Sequence, residues 1–134
     1  MQLHHTGYIV TNAEDPTLIQ EGMQLVVSVI DPLQQAKICL YKNLQNELIE
    51  LVEPLNEKSP VWNFLKKKSR LNVSSGRENG FHHECFTATI DEIEKYTLER
   101  RLTKIMGPVP AKIFNDQQIL FFIAKDSKIT EFIL

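Results

Sequence analysis

The chain of 134 residues is long enough to form one domain with a sizeable core. Its hydrophobic fraction of 43% and charged fraction of 24% are ordinary for a globular protein, and a net charge of -2 gives no reason to expect nucleic acid or a membrane as a partner. No apolar run approaches the roughly 20 residues of a membrane span, and the first residues lack a signal-peptide pattern. We therefore expect a cytoplasmic single-domain protein in which Cys39 and Cys85 are buried thiols.

The first half of the chain predicts one short helix among four strands. Asp15 is placed to cap that helix, which begins at Pro16 and ends near Gly22. Alternating and β-branched residues predict the strands, the last two of which form a hairpin around a polar turn. The predicted strands are residues 3–10, 24–30, 36–42 and 47–53.

The second half repeats this plan after a helix and a linker. An amphipathic helix is predicted from Glu57-Lys58-Ser59-Pro60 into the basic run at 66–70. Residues 72–80 are rich in Ser, Asn and Gly, as in a linker. Thr89 is then the expected cap of a helix over about 91–101. The strands predicted for this half are residues 81–88, 103–106, 118–124 and 129–134, with Pro108-Val109-Pro110 in the loop between the second and the third.

All four histidines lie in two similar doublets, His4-His5 and His82-His83, and each doublet opens an apolar run. Successive side chains of a strand point to opposite faces, so only one histidine of each doublet can face a shared pocket. The second histidine of each doublet has the same register in the repeat. We therefore expect His5 and His83 to face the pocket, and His4 and His82 to face the other way.

The hairpins repeat as well as the doublets. Residues 38–50 and 119–131 are equally long, and each consists of an apolar strand, a polar turn and an apolar strand with a glutamate at the same place. This self-similarity indicates a tandem duplication. The predicted fold is α+β, with two tandem βαβββ modules (about 1–71 and about 80–134) that form a curved mixed sheet shaped as a cup.

Packed in this way, the two modules would bring together His5, Glu50, His83 and Glu131. Two imidazoles and two carboxylates suit one divalent ion of intermediate hardness, such as Zn, Co, Ni, Mn or Fe. Taken singly, a histidine in a strand is more often a structural, hydrogen-bonded residue, and a glutamate near a chain end is usually solvated. The repeat-related positions favour the metal site, as does the apolar strand around Glu131, where an unpaired carboxylate is costly to bury.

At these residues the chain resembles the vicinal oxygen chelate superfamily, and most closely its methylmalonyl-CoA epimerase branch. His5-Thr6-Gly7-Tyr8-Ile9-Val10 is similar to the opening strand of the superfamily. The segment from Ile49 to Pro60, with its Glu-Pro-Leu and Ser-Pro elements, resembles the fourth strand and the following loop of the branch. Gly80-Phe81-His82-His83 matches its Gly-x-His-His segment, and Asp91-Glu92-Ile93 the start of the next helix.

The resemblance implies that His5, Glu50, His83 and Glu131 are metal ligands. It also implies a small-molecule substrate, an acyl-CoA or another acyl thioester, whose carboxylate and thioester oxygens approach the metal while the α-proton leaves. Inversion needs acid–base groups on both sides of the α-carbon. We expect Glu131 to transfer one proton. Where some members carry a second carboxylate, this chain has Lys37, which is a base if desolvation lowers its pKa, a partner for a substrate carboxylate, or a solvent-facing side chain.

The sequence also departs from the family. The first helix is short, and residues 107–117 replace a glycine-rich stretch, so the substrate need not be methylmalonyl-CoA. The basic run at 66–70 is either a site for CoA phosphates or a solvated helix end. The alternatives to an epimerase are a glyoxalase-type lyase, a ring-cleaving dioxygenase, or a small-molecule binding or resistance protein without chemistry. Members of this fold often form homodimers.

Overall fold

The computed structural model of the protein describes residues 1–15, 21–62 and 80–134. These ranges leave out most of the two helices predicted for the first half, the basic run at 66–70 and nearly all of the linker. No helix within the described ranges is long and apolar enough to cross a membrane.

The described residues form eight strands, a helix that we call α1, and a short 3-10 helix at Lys112–Phe114. Strand formation follows the alternating and β-branched pattern of the sequence. The strands are β1 (Gln2–Ile9), β2 (Gln24–Asp31), β3 (Ala36–Lys42), β4 (Leu48–Pro54), β5 (Phe81–Thr87), β6 (Thr103–Ala111), β7 (Gln117–Ile123) and β8 (Ile129–Ile133), and α1 is Ile90–Glu99.

The described chain divides into two compact units, and the first comprises residues 6–82. Its strands follow the order β2-β3-β4-β1, and both β2–β3 and β3–β4 pair antiparallel. The β3–β4 hairpin has an unbroken register from Ala36↔Pro54 to Lys42↔Leu48, as the two apolar runs predict. Its core consists of Val10, Ala13, Cys39, Tyr41, Ile49 and Leu51.

The second unit joins residues 1–5 to residues 83–134. Its strands follow the order β5-β8-β7-β6, in which β5 and β8 run parallel while β8, β7 and β6 are antiparallel. The sheet is therefore mixed, and α1, β6 and β7 provide the connection that a parallel pair requires. The core of the unit consists of Ile93, Leu120, Phe122 and Phe132.

The start of α1 agrees with the sequence. Thr89 accepts a hydrogen bond from the backbone of Glu92, whose side chain accepts one from the backbone of Thr89, so the two residues form a capping box. Ile93 is buried on the inner face of the helix. The predicted cap at Thr89 is confirmed.

Strand β6 corrects one prediction. The sequence predicts a strand that ends at residue 106 and a loop that contains the prolines, whereas β6 continues through Pro108 and Pro110 to Ala111. Proline is compatible with a strand at the edge of a sheet, where a missing N–H does not interrupt a ladder, and β6 is an edge strand. Its pairing with β7 shifts register on both sides of Met106. Gly107, with φ +99, is required there because a Cβ would collide with the carbonyl oxygen of Ile119.

Tyr41 links β3 to the segment after β1 within the first unit. Its hydroxyl donates a hydrogen bond of 2.7 Å to the carbonyl oxygen of Ala13. Burial raises the pKa of Tyr41 to about 12, because the phenolate would lose its water. The neutral form is thus favoured in the folded protein relative to the unfolded chain.

We predict that Tyr41 makes the stability of the protein depend on alkaline pH. Its folded-state pKa lies above its ordinary value of 10, so its contribution is fully present below pH 10 and is lost as the pH rises through about 12. Tyr41→Phe should cost about 1 kcal/mol at neutral pH, from the lost hydrogen bond, and the difference from wild type should shrink in this window. Urea unfolding at a series of pH values measures both quantities. Stability curves that stay parallel for the two proteins throughout this pH window would contradict the predicted contribution of Tyr41.

Candidate metal centre

The parallel pairing of β5 with β8 places a histidine and a glutamate on one face of the second unit. His83 and Cys85 are two residues apart and therefore share a face of β5. Cys85 is in register with Glu131 of β8, and His83 with Ile129. His83 is consequently the diagonal neighbour of Glu131, and the aromatic ring of Phe121 lies edge-on to His83 at 5.5 Å between ring centroids.

His5, from the N-terminal part of β1, completes a triangle of side-chain atoms with these two residues. Its Nε2 lies 3.1 Å from Nε2 of His83 and 3.3 Å from Oε2 of Glu131. Nε2 of His83 lies 2.9 Å from the same Oε2. All three side chains are buried, with at most 2% of each residue exposed. The second unit therefore contains two imidazole nitrogens and one carboxylate oxygen that converge out of contact with water.

The carboxylate of Glu131 is the charged member of this triangle. Among the residues that the structure describes, its Oε2 is a buried side-chain oxygen without a hydrogen-bond partner, although both Nε2 atoms are close enough. Burial raises the pKa of Glu131, but positive charge on His83 and the close contacts of both imidazoles lower it further, so the net direction is well below the ordinary value. The carboxylate is thus ionised and lacks a correctly directed donor.

A divalent metal ion fits this arrangement. Imidazole nitrogen and carboxylate oxygen bind Zn²⁺ at about 2.0–2.2 Å, so neighbouring ligands of one ion lie about 3 Å apart, as the three atoms do here. A cation at their centre would also satisfy the orphaned Oε2. This donor set suits the ions of intermediate hardness that the sequence predicts, without selecting one of them.

Two further residues lie beside the triangle, and the sequence predicted neither contact. His4 was expected to face away, but its Nδ1 lies 2.9 Å from Nδ1 of His5. Phe114, in the 3-10 helix, contacts both imidazoles, with ring centroids 5.2 Å from His4 and 5.3 Å from His5. Burial and the charge of His5 lower the pKa of His4, while Glu131 acts in the opposite direction. The last residues of the segment 111–114 are apolar, and this was the sequence signal for a buried aromatic residue here.

The other predicted site residues lie in the first unit. Glu50 is a buried residue of β4, opposite Leu40 of β3, and its role as a fourth ligand stays a prediction. Lys37 of β3 forms an ion pair with Glu14. Its hydrogen bond with Glu14 raises the pKa of Lys37. The condition that the sequence analysis set for a base, a pKa lowered by desolvation, is therefore not met.

Comparison with solved structures identifies the fold. A hypothetical protein of Bacillus halodurans is 27% identical and aligns with a TM-score of 0.74 over 98% of this chain and 92% of its own. Methylmalonyl-CoA epimerase of Mycobacterium tuberculosis is 20% identical, with a TM-score of 0.73 over 98% of this chain and 86% of its own. The chain has the vicinal oxygen chelate fold. The fold predicted from the histidine and hairpin repeats is confirmed.

The comparison of sequences also finds a methylmalonyl-CoA epimerase as a similar protein. The chain is 29% identical over 117 residues to the mitochondrial methylmalonyl-CoA epimerase of Dictyostelium discoideum. That alignment covers 80% of this chain and 64% of the relative, so the chain spans somewhat less than two thirds of the relative's length. No family model matches the chain.

We predict that the protein binds about one divalent ion per chain and that His83→Gln loses it, because the amide cannot replace an imidazole ligand. His82→Gln is the matched control, since it makes the same change at the adjacent position in the sequence. Elemental analysis of protein purified without chelators or metal-affinity resin measures the ratio. Wild type that remains free of metal after incubation with Zn, Co, Ni and Mn would contradict the metal site.

Proposed function

We propose that this protein is a metal-dependent isomerase that epimerises the carbon next to the carbonyl of an acyl thioester, with methylmalonyl-CoA as the first substrate to test. The observation that carries the proposal is the buried triangle of His5, His83 and Glu131 with its orphaned oxygen. The similarity to a methylmalonyl-CoA epimerase supports the substrate class. We propose His5, His83, Glu131 and, from the first unit, Glu50 as the ligands.

A divalent ion held by these residues would supply Lewis acidity, which would stabilise negative charge on a carbonyl oxygen when the neighbouring C–H is deprotonated. The protein's own residues have two tasks around the ion. The imidazoles of His5 and His83 would act as neutral ligands, so they would not offset the charge of the ion. The aromatic rings of Phe114 and Phe121 exclude water from the histidines, which strengthens electrostatic interactions within the site.

Glu131 is our proposed carrier of one proton. It is ionised, as a proton acceptor must be, and it is the carboxylate of the triangle. A carboxylate whose pKa is strongly lowered is a weak base, so the arrangement in the resting protein favours its role as a ligand. Proton transfer by Glu131 therefore requires that its contacts with the two imidazoles loosen during the reaction.

We predict that the metal-loaded protein exchanges the α-proton of methylmalonyl-CoA with deuterium in D₂O. Glu131→Gln should lower the exchange rate by about 10²-fold or more, because the amide cannot accept the proton. Glu84→Gln is the control, since Glu84 lies on β5 but pairs with Lys128 instead of the triangle. Mass spectrometry of the recovered thioester measures the exchange. A wild-type protein that holds the metal but does not exchange the α-proton of any acyl-CoA would refute the proposed epimerase activity. The metal site would not be affected by that result.

Lys37 is proposed as an anchor for a substrate carboxylate instead of a base. Its raised pKa keeps the ammonium charged at neutral pH, and it remains about one quarter exposed beside Glu14. A protonated, partly exposed ammonium group can attract an anion but cannot take up a proton.

We predict that Lys37→Ala raises the KM for the acyl-CoA about two- to fivefold, the size of an exposed ion-pair effect, and leaves kcat unchanged. Lys42→Ala, an exposed lysine on the same strand, is the matched control. Steady-state kinetics measure KM and kcat separately for each variant. A fall in kcat would support Lys37 as a base. Unchanged kinetics would exclude Lys37 both as a base and as an anchor for the substrate.

A further inference from the structure

The hydrogen-bonding distance between His4 and His5 is unexpected for neighbours in a strand. Adjacent side chains normally point to opposite faces, and their burial follows this rule, since His5 is buried and His4 is partly exposed. Yet the two Nδ1 atoms are 2.9 Å apart, and the rings meet edge-to-face with centroids 5.2 Å apart. The ring of His4 is therefore turned back towards His5.

The two nitrogens of His5 serve two different neighbours. Nε2 faces Oε2 of Glu131 and Nε2 of His83, and Nδ1 faces His4. A neutral imidazole has one nitrogen that donates and one that accepts. A metal ligand must present a bare nitrogen, so the proton of His5 has to reside on the other nitrogen, and a partner for that N–H determines which one it is.

His4 can be this partner only in one arrangement. If His4 donates to His5, Nδ1 of His5 is bare and its Nε2 carries the proton, which prevents Nε2 from binding a metal. If His5 donates to His4, Nε2 of His5 is bare and points into the triangle. Phe114 packs against both rings and limits their rotation, so the contact between them is held by packing as well as by the hydrogen bond.

The same residues could instead form a second metal site. His4, His5 and Cys85 each offer a ligand atom within 4.8 Å of the others. In that case His5 would bind metal through both nitrogens and would have to lose its remaining N–H proton as well. The Nδ1–Nδ1 separation of 2.9 Å lies within the ordinary hydrogen-bond range. These facts favour the hydrogen bond.

We propose that His4 is a positioning residue that sets the tautomer of His5: Nδ1 of His4 accepts the Nδ1–H of His5, and Nε2 of His5 is thereby bare and directed at His83 and Glu131. His4 does not touch the metal or the substrate in this proposal. The importance of the tautomer for catalysis rests on the proposed function, but the tautomer itself is a property of the metal-free protein.

Two substitutions separate the hydrogen bond from the bulk of His4. His4→Phe keeps an aromatic ring beside Phe114 and removes the acceptor. His4→Asn keeps an acceptor, because its Oδ1 is bonded to Cγ as Nδ1 is in histidine. Each variant is first compared with wild type by thermal unfolding, and a destabilised His4→Phe leaves His4→Asn and wild type to decide the question.

The experiment is long-range ¹H–¹⁵N NMR of the metal-free protein with ¹⁵N-labelled histidine, in which only four rings give signals. We expect the Nδ1–H tautomer at His5 in wild type and in His4→Asn, and a shift towards Nε2–H in His4→Phe. An Nε2–H tautomer at His5 in wild type overturns the proposal, as does a tautomer that His4→Phe leaves unchanged.

Metal affinity is the second readout, measured by competition of Zn²⁺ with a chromogenic chelator. His4→Phe should weaken binding about 10- to 100-fold, as is typical when the partner of a ligating histidine is removed, and His4→Asn should restore most of it. Two ions per wild-type chain, one of them lost in His4→Phe, would overturn the proposal in favour of a second site. Wild type without metal affinity would refute the proposed function, whereas the NMR result would still decide the role of His4.

Discussion

Burying a carboxylate among aromatic and aliphatic side chains destabilises a protein unless cations or well-directed donors compensate for the lost water. In the second unit Glu131 is 2% exposed and has two imidazoles within 3.3 Å, yet its Oε2 accepts no hydrogen bond from the residues that the structure describes. The two histidines lower the pKa of Glu131, so the charge stays in place. A cation bound at this centre would compensate for the buried negative charge and so stabilise the fold.

The arrangement depends on backbone register more than on local sequence. The parallel pairing of β5 with β8 sets Glu131 against Cys85 and thereby diagonal to His83. A shift of one residue in either strand would turn one of the two side chains to the opposite face. The capping box at Thr89 and the edge strand β6 belong to the connection between β5 and β8.

Alternation and repetition in the sequence were enough to predict the strands, the fold and the convergence of His5, His83 and Glu131. Other features depend on contacts that no local pattern contains. The length of β6 follows from its place at a sheet edge, where prolines are tolerated. The pKa of Lys37 depends on Glu14, 23 positions away. Strict alternation does not predict the contact of His4 with His5, because an imidazole is long enough to turn back along the strand. Glu50 as a ligand remains a prediction.

The second unit is discontinuous in sequence, since residues 1–5 pack with residues 83–134. His5 and His83 are 78 positions apart, so the triangle closes a long loop, and closing such a loop costs conformational entropy before any contact compensates for it. Pairings of this kind slow folding. A nascent chain does not have a complete triangle until Glu131 has been added. A metal ion that binds only the finished triangle would favour the folded chain at this last step.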